Sequence, residues 1–586
     1  MCGIFAYVGK KQNAGDLIME GLKALEYRGY DSWGVAVKKQ DGQIYLEKHV
    51  GKIGQAKLPR LSSTIGIGHT RWATHGGVTR DNAHPHTDCT GNIIIVHNGI
   101  VENYTSLKKQ LLKKGHIFKS ETDTEVIAHW LEEKKKTDND PLKLMRGLAS
   151  AIKGMSAVIA FFPEEEVLYV YKYGSPIVFG QNNDGLYLAS DPSAMILHTK
   201  QVYFLEDNEM LQLGRSGYEL YDGHGEIKKI TFTTLAYDQE DALLGKYPYF
   251  MLKEIHEQPK VIQNIIDTQA SNITKVAEFV KKADGTYFIG CGSAYHVSLS
   301  GAYLFSKIAN RHVNAAIASE FSYLESFIKN TSLVVAFSQS GETIDLISCI
   351  RKAQENKAKI LAVTNVPGST LYRMADHRLL LQAGPEKAVA TTKAYTAKIA
   401  IIYLLAHELA GTIKKAKEDL RLAVSEIQRF LKNTDKIKKM AEQFVKHEHV
   451  FILGRGVSYP TALESALKIK EVSYCHAEGF AASELKHGVI ALVQKGTPII
   501  VYNPADETYQ DALSSAHEVK ARGAYVIGIS SKNNPIYDDF IEVKDCHEAT
   551  IIPNVTVAQL LGYYLALAKG YDPDKPRNLA KSVTVK

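Results

Sequence analysis

Short apolar runs separated by polar turn clusters fill the first part of the chain: Ile4 to Val8, Gly34 to Val37, Ile93 to Val96, Ala157 to Phe162 and Val167 to Tyr171. Runs of this length predict strands, and the apolar spacing over Asp16 to Glu26 and Thr124 to Lys135 predicts helices. Together they predict an α+β domain with stacked sheets over residues 1–235. The acidic stretch Asp238 to Asp241 and the prolines Pro248 and Pro259 then mark a linker over 236–260.

Beyond the linker the pattern repeats. Phe288-Ile289-Gly290-Cys291-Gly292 returns as Ile452-Leu453-Gly454-Arg455-Gly456, an offset of 164 between Gly290 and Gly454. Val335 to Thr343 returns more loosely as Ile500 to Thr508, an offset of 165 between the two threonines. Two unrelated landmarks with nearly one offset predict a duplication. Each copy reads strand, Gly-rich loop, helix, then strand, polar loop, helix, the pattern of a doubly wound parallel sheet. The copies are placed at 261–430 and 431–575, with a tail at 576–586.

With 586 residues, 45% hydrophobic positions and a formal net charge of +6, the chain is ordinary globular material without a basic block. Nucleic acid is therefore not an expected partner. The six cysteines lack CxxC spacing and read as reduced thiols of a cytoplasmic protein. No signal peptide is expected, and Ala549 to Ala568, broken by Pro553, Asn554 and Gln559, reads as a core helix after a turn, so no membrane partner is expected either.

Cys2 stands directly behind the initiator methionine. It is small enough for Met1 to be removed, which leaves a thiol and a free α-amine on one residue, and the amine, with a pKa of about 8, can serve as the thiol's base. Three polar clusters follow where strands give way to loops: Gly68 to Gly76, Asn82 to His86, and His97-Asn98-Gly99. A zinc site on His75, His84, His86, Asp88 or Cys89 is the rival reading, but the spacing matches no recognised ligand pattern and no metal or other cofactor is expected. An acyl-transfer site fits better: it needs a nucleophile, oxyanion donors and groups for the substrate's charged end, for which Cys2, Asn98 with the Gly99 amide, and Arg71 with Asp123 are candidates.

Cys2-Gly3-Ile4, Leu25 to Ser32, Gly68 to Gly76, His97-Asn98-Gly99 and Ser120 to Thr124 together resemble the N-terminal-nucleophile glutaminase domain of class II amidotransferases. The resemblance implies that Cys2 attacks the glutamine side-chain amide and that Asn98 and Gly99 stabilise the oxyanion. It further implies that Arg71, Thr74, His75 and Asp123 hold the amino-acid end, and that Trp72 lies on a mobile loop closing over glutamine. Trp33 departs from the small residue usual after Tyr-Asp-Ser, without touching a catalytic position.

In the duplicated half, Ser338-Gln339-Ser340-Gly341-Glu342-Thr343 puts three hydroxyls and a glycine between a buried strand and the amino end of a helix over Ile344 to Asn356, where unpaired N–H groups attract phosphate. A helix cap alone would explain such a turn, but the second copy replaces both serines with Asn503 and Ala505 while keeping the pattern. Gly290-Cys291-Gly292-Ser293 lacks a complete dinucleotide fingerprint. Glu464, Lys468 and Glu471 fall on one helical face at i, i+4 and i+7. Alone they would be a solvated stripe; with His487 nearby in sequence they become an acid/base candidate.

These segments resemble sugar isomerase domains that bind phosphorylated sugars, and the tail Pro576 to Val585 resembles that of the glutamine–fructose-6-phosphate aminotransferase family. The expected fold is thus a glutaminase domain followed by two α/β sugar isomerase domains. The resemblance implies phosphate binding by Ser338, Gln339, Ser340 and Thr343, with Ser293, Val389 and Ala580 lining the pocket. It implies a Schiff base on Lys581, ring opening by His487, proton transfer by Glu471, and electrostatic support from Lys468 and Arg577. Ala294 departs from a serine found in some relatives. Glutamine and fructose 6-phosphate are then the expected substrates, with an internal ammonia passage gated by Trp72. His487 would serve a neighbouring subunit, making the protein a homodimer or larger. Another class II amidotransferase, or a non-catalytic sugar-phosphate sensor, are the alternatives; the first should carry a different acceptor domain, and the second has no need of Cys2, Arg71, Asp123 or Lys581.

Overall fold

Residues 2–235 and 237–584 are described by the computed structural model. Met1, with the processing step expected there, and Val585 and Lys586 of the tail lie outside them. The chain divides into two compact units, one ending at Leu243 and including the segment from Ala580 onward, the other spanning Leu244–Leu579.

Two antiparallel sheets stack face to face in the first unit. The eight-stranded sheet places Gly3–Gly9 between Gly185–Ala189 and Ser63–Arg71; the seven-stranded one pairs Ile94–Gly99 with Ser156–Phe162. Alternation along Gly3–Gly9 sorts the side chains: Ile4, Ala6 and Val8 face the other sheet and pack with Ile94, Val96 and Ile159, whereas Phe5 and Tyr7 meet Leu17, Ile18 and Leu22 of the helix Ala14–Ala24. Ile95, Val158 and Ala160 on the second sheet's outer face pack with Ile127 and Leu131 of the helix Glu125–Lys135 and with Leu144 of the helix Pro141–Ala151. The result is a four-layer α/β/β/α stack. The first helix begins two residues before the predicted start and ends at Ala24, because Glu26–Arg28 tightens into a 3-10 turn.

Both sheets of the second unit are parallel and five-stranded, and they share one strand order. Asn314–Ile317, Gly285–Gly290, Ser332–Ser338, Lys359–Thr364 and His377–Leu380 form the first sheet; His476–Ala481, His449–Gly454, Pro498–Tyr502, Tyr525–Ser530 and Asp539–Glu542 form the second. Gly290 and Gly454 end equivalent strands, and Thr343 and Thr508 each stand just before the next equivalent helix, so both offsets seen in the sequence mark equivalent places in the fold.

Residues 250–260, read as linker, are helical. Phe250–Thr268 is continuous through Pro259, Glu254 accepts the Lys387 and Ala388 amides at 2.5 and 3.1 Å, and Gln258 is buried against Gln559. Two prolines and a charged stretch look like a break only when the burial of Met251, Ile255 and Gln258 is unknown. The boundary drawn at 430/431 falls inside the helix Ile413–Lys432. Ile551–Ala568 is the one helix among the described residues long and apolar enough to cross a membrane, and it is buried within its unit. Pro553 sits in its first turn, where no intrahelical N–H bond is lost.

Candidate functional sites

In the first unit, register sets the nucleophile's place. Gly3 pairs with Thr70, so Cys2 falls beside the end of the strand Ser63–Arg71. A Cβ on Gly3 would come within 2.5 Å of Thr70 Oγ1, which explains the glycine after the cysteine. The Trp72 amide donates to Cys2 Sγ at 3.4 Å, and the thiol faces the Trp72 carbonyl at 3.6 Å. Arg28 Nε and Asn98 Nδ2 donate to the Cys2 carbonyl at 3.3 and 3.1 Å. Asn98 ends its strand with Gly99, whose φ of +140° and close approach to the Met155 carbonyl admit no side chain. The structure therefore gathers Cys2, Asn98 and the Trp72 backbone at one point.

His69 orients that point. Its Nε2–H donates to Asn98 Oδ1 and to the His97 carbonyl, each at 3.1 Å. Burial drives its pKa down to about 3, so the ring is neutral, and it stacks on His84 at 4.0 Å. His97 is likewise held neutral by burial, at about 4, between Thr124 and Ser156. In the sequence both rings are only members of polar clusters; the role of His69 requires the stacking of two sheets, which brings it to a residue 28 positions away.

Arg71 sews up the loop that follows it. The guanidinium donates to the carbonyls of His75, Gly76 and Gly77 at 2.5, 3.2 and 3.1 Å, while burial lowers its pKa against the opposing pull of Cys2, Asp31 and Asp123. Asp31 caps the Ala73 amide at 2.8 Å, and Asp123 accepts the Val101 amide at 2.6 Å. Thr74 is exposed and His75 half-buried, packed edge-on to Tyr104. The five residues named as a rival zinc set do not converge: His84 stacks on His69, Asp88 accepts the Ile93 amide, and Cys89 turns to His116 and His129.

The second unit buries a charged cluster where its two copies meet. Glu464 and Lys468, on the helix Ser458–Ser473, are 0% and 1% exposed, and Lys468 Nζ lies 3.4 Å from Glu464 and 2.7 Å from Glu471. From the first copy's helix Ser293–Ala309, Ser293 Oγ donates to Glu464 at 2.9 Å and accepts from Lys468 at 3.1 Å, and His296 Nδ1 bonds Glu464 at 2.7 Å. Burial would lower the Lys468 pKa, but the two carboxylates outweigh it and raise it; burial would raise that of Glu464, but Lys468 and His296 outweigh it and lower it. The solvated-stripe alternative is thereby excluded. His296 was not singled out in the sequence, since nothing local links it to a residue 168 positions away.

The Ser338 loop closes on itself at the carboxyl end of its strand. Ser338 Oγ accepts the Gly341 amide at 2.9 Å and lies 3.3 Å from Thr343 Oγ1; Ser340 Oγ accepts the Glu342 amide at 3.1 Å; the helix Ile344–Glu355 starts one residue on. Gln339 accepts the Asn365 amide through its carbonyl at 3.1 Å. In the second copy the matching space is occupied by Asn503, which is fully buried and donates to the Tyr537 hydroxyl at 2.9 Å. Buried Val389 donates its amide to Asp574 at 3.0 Å. Arg577 lies over the Tyr474 ring at 4.2 Å, and His487 is exposed at the end of the 3-10 turn Ala482–His487. Ala580 and Lys581 group with the first unit.

Residues 69–197 match the glutamine amidotransferase domain family, and residues 279–408 and 443–569 each match the SIS domain family. The chain is 41% identical over 599 aligned residues to the glutamine–fructose-6-phosphate aminotransferase (isomerizing) of Pyrococcus horikoshii, each chain being covered in full. The protein of the same name from Thermococcus kodakarensis is 41% identical over 607, also with full coverage of both. The chain belongs to the glutamine–fructose-6-phosphate aminotransferase family. Among solved structures, the C-terminal domain of glucosamine-fructose-6-phosphate aminotransferase from Francisella tularensis is 34% identical with a TM-score of 0.54, covering 57% of this chain and 99% of that one. A tagatose-6-phosphate ketose/aldose isomerase from Escherichia coli shares the fold, with a TM-score of 0.51 at 19% identity over 56% of this chain and 96% of its own. Asn98 and Asp123 lie inside the first matched segment, and Ser338 and Lys468 inside the other two.

Proposed function

We propose that the chain converts fructose 6-phosphate and glutamine to glucosamine 6-phosphate and glutamate, the first step of amino-sugar synthesis, as a cytoplasmic homodimer or larger assembly. The observation that carries this reading is the presence in one chain of a cysteine held beside Asn98 and of a buried Lys468–Glu471 pair in a duplicated sugar isomerase unit. Cys2, with its own α-amine as base once Met1 is removed, attacks the glutamine amide. Asn98 Nδ2 and the Gly99 amide receive the oxyanion, and Arg71, Thr74, His75 and Asp123 fix the amino-acid end. Because the Trp72 backbone is bonded to the Cys2 sulfur, motion of this residue reaches the thiol directly, which supports a gating role for it in passing ammonia internally.

Ser338, Gln339, Ser340 and Thr343 take the sugar phosphate, with Ser293, Val389 and Ala580 lining the pocket. Lys581 forms an imine with the open-chain ketose after His487, supplied across a subunit boundary, assists ring opening. Ammonia from glutamine displaces the Lys581 amine from the imine, leaving its own nitrogen on C2, and Glu471 moves a proton between C1 and C2 to give the amino aldose; Lys468, bonded to Glu471, and Arg577 support the transfer with positive charge. Mass spectrometry of the products from fructose 6-phosphate and amide-labelled glutamine tests the reading: labelled glucosamine 6-phosphate is expected, and its absence with folded protein rules the reading out. Cys2→Ala should abolish glutamine hydrolysis and spare sugar-phosphate binding. Fully active protein whose intact mass retains Met1 would remove the α-amine from the mechanism.

A further inference from the structure

Four potential ligands from three separate elements converge in the first unit, away from Cys2. Cys89 comes from the turn after the short strand His86–Thr87, His116 from the segment after the helix Tyr104–Lys113, and His129 and Glu132 from the helix Glu125–Lys135. One donor atom of each lies within 4.8 Å of all the others. Cys89 Sγ is 3.7 Å from His116 Nδ1 and 3.5 Å from His129 Nδ1, and Glu132 Oε2 is 2.9 and 3.2 Å from the same two nitrogens. A tetrahedral zinc ion with bonds of about 2.0–2.3 Å sets its ligand atoms about 3.3–3.8 Å apart, so these separations need only small adjustments.

The outward faces of the two rings carry a second, independent signal. His116 Nε2 meets Glu133 at 3.1 Å and His129 Nε2 meets Glu125 at 3.4 Å. Each imidazole thus points Nδ1 at the shared centre and presents Nε2 to a carboxylate, the arrangement that fixes the tautomer of a metal-bound histidine and increases its basicity. Both rings are buried, at 4% and 1% exposure, whereas Cys89 is exposed and leaves a route for an ion to reach the centre.

We propose that Cys89, His116, His129 and Glu132 bind one Zn²⁺ as a closed structural site. Thiolate, two imidazoles and a carboxylate suit zinc; magnesium and calcium favour oxygen ligands. Binding expels the Cys89 thiol proton, and all four positions are filled by protein, so the ion has no open place for substrate. Its effect is mechanical: it ties the turn leading into the strand of Asn98 to the helix that follows Asp123. Histidine spacing along the chain carries no sign of this set, which is spread from residue 89 to residue 132.

Elemental analysis of the full chain, purified with zinc present and then desalted, should return one equivalent of zinc per chain. Cys89→Ser and His129→Gln should each lose it. Adding Co²⁺ to chelator-stripped wild-type protein should produce the visible bands of a tetrahedral ion and a sulfur-to-metal charge-transfer band missing in Cys89→Ser. Zinc removal should lower the thermal midpoint of this unit by about 5 °C or more, with a similar effect from Cys89→Ser. If the variants fail to fold, the cobalt spectrum of wild-type protein decides alone. Zinc-free protein whose stripped form takes up neither ion, as expected if the two rings simply hydrogen-bond the carboxylates, would overturn the proposal. So would zinc content unchanged in Cys89→Ser.

Discussion

His69 holds Asn98 from behind: its Nε2–H, 3.1 Å from Asn98 Oδ1, leaves the Asn98 amide nitrogen facing the Cys2 carbonyl. Removing the ring frees the amide to rotate and misdirects one oxyanion donor. His69→Leu should lower kcat for glutamine hydrolysis by about 10- to 100-fold, somewhat less than outright loss of such a donor, with KM for glutamine within a few-fold. His69→Gln, which can still donate an N–H, should recover part of the rate. Steady-state kinetics decides; a change confined to KM would assign His69 to substrate binding.

The neutral rings of His69 and His97 also make the glutaminase unit sensitive to acid. Their folded pKa values, about 3 and about 4 through burial, lie below the unfolded value of 6.5. Below pH 6.5 the unfolded chain therefore binds protons that the folded one refuses, and stability falls as pH drops toward 4. Each ring contributes at most about 1.4 kcal/mol per pH unit in that window. Denaturant unfolding of this unit between pH 7 and pH 5 should show the loss, and a flat profile would contradict it.

The asymmetry of the two copies predicts unequal effects at equivalent loops. Ser338→Ala with Ser340→Ala removes two donors to a charged group, each worth about 1.5–3 kcal/mol, and should weaken fructose 6-phosphate binding at least about tenfold. Asn503→Ala with Asp506→Ala should leave affinity within a few-fold, because Asn503 is committed to Tyr537 and Asp506 to Thr508. Calorimetric titration separates the cases; equal losses would mean that both loops share the ligand.

Glu464→Gln should destabilise the isomerase unit by about 3 kcal/mol or more, since it removes one of the two carboxylates that face the buried Lys468. Pairing it with Lys468→Met should restore much of the loss. Urea unfolding of single and double variants measures this, and simple additivity would show that the two residues do not interact.

Lys581 should be trapped by borohydride as an adduct with fructose 6-phosphate in the C-terminal peptide. Labelling that persists in Lys581→Ala would place the imine elsewhere.

The sequence made legible whatever was local or periodic. Cys2 and the strings around Asn98 and Asp123 were contiguous; the duplicated sheets appeared as a constant offset; the helical spacing of Glu464, Lys468 and Glu471 placed them on one face. Contacts made by folding left no such trace. Ser293 and His296 reach Glu464 across 171 and 168 residues, and His69 reaches Asn98 through the stacking of two sheets. Charge patterning alone favoured solvent for the Lys468 face, because it does not reveal that the other copy's helix covers it.

The bond between Ser293 and Glu464 joins the helix Ser293–Ala309 of one copy to the equivalent helix Ser458–Ser473 of the other. Neither copy holds the full set of groups, so a protein with a single copy would have to bring two chains together to assemble the same cluster. Fusion replaces that bimolecular encounter with a fixed effective concentration, and the cluster persists at any dilution of the protein. The two copies were thereby free to diverge, since each chain always carries one of each kind.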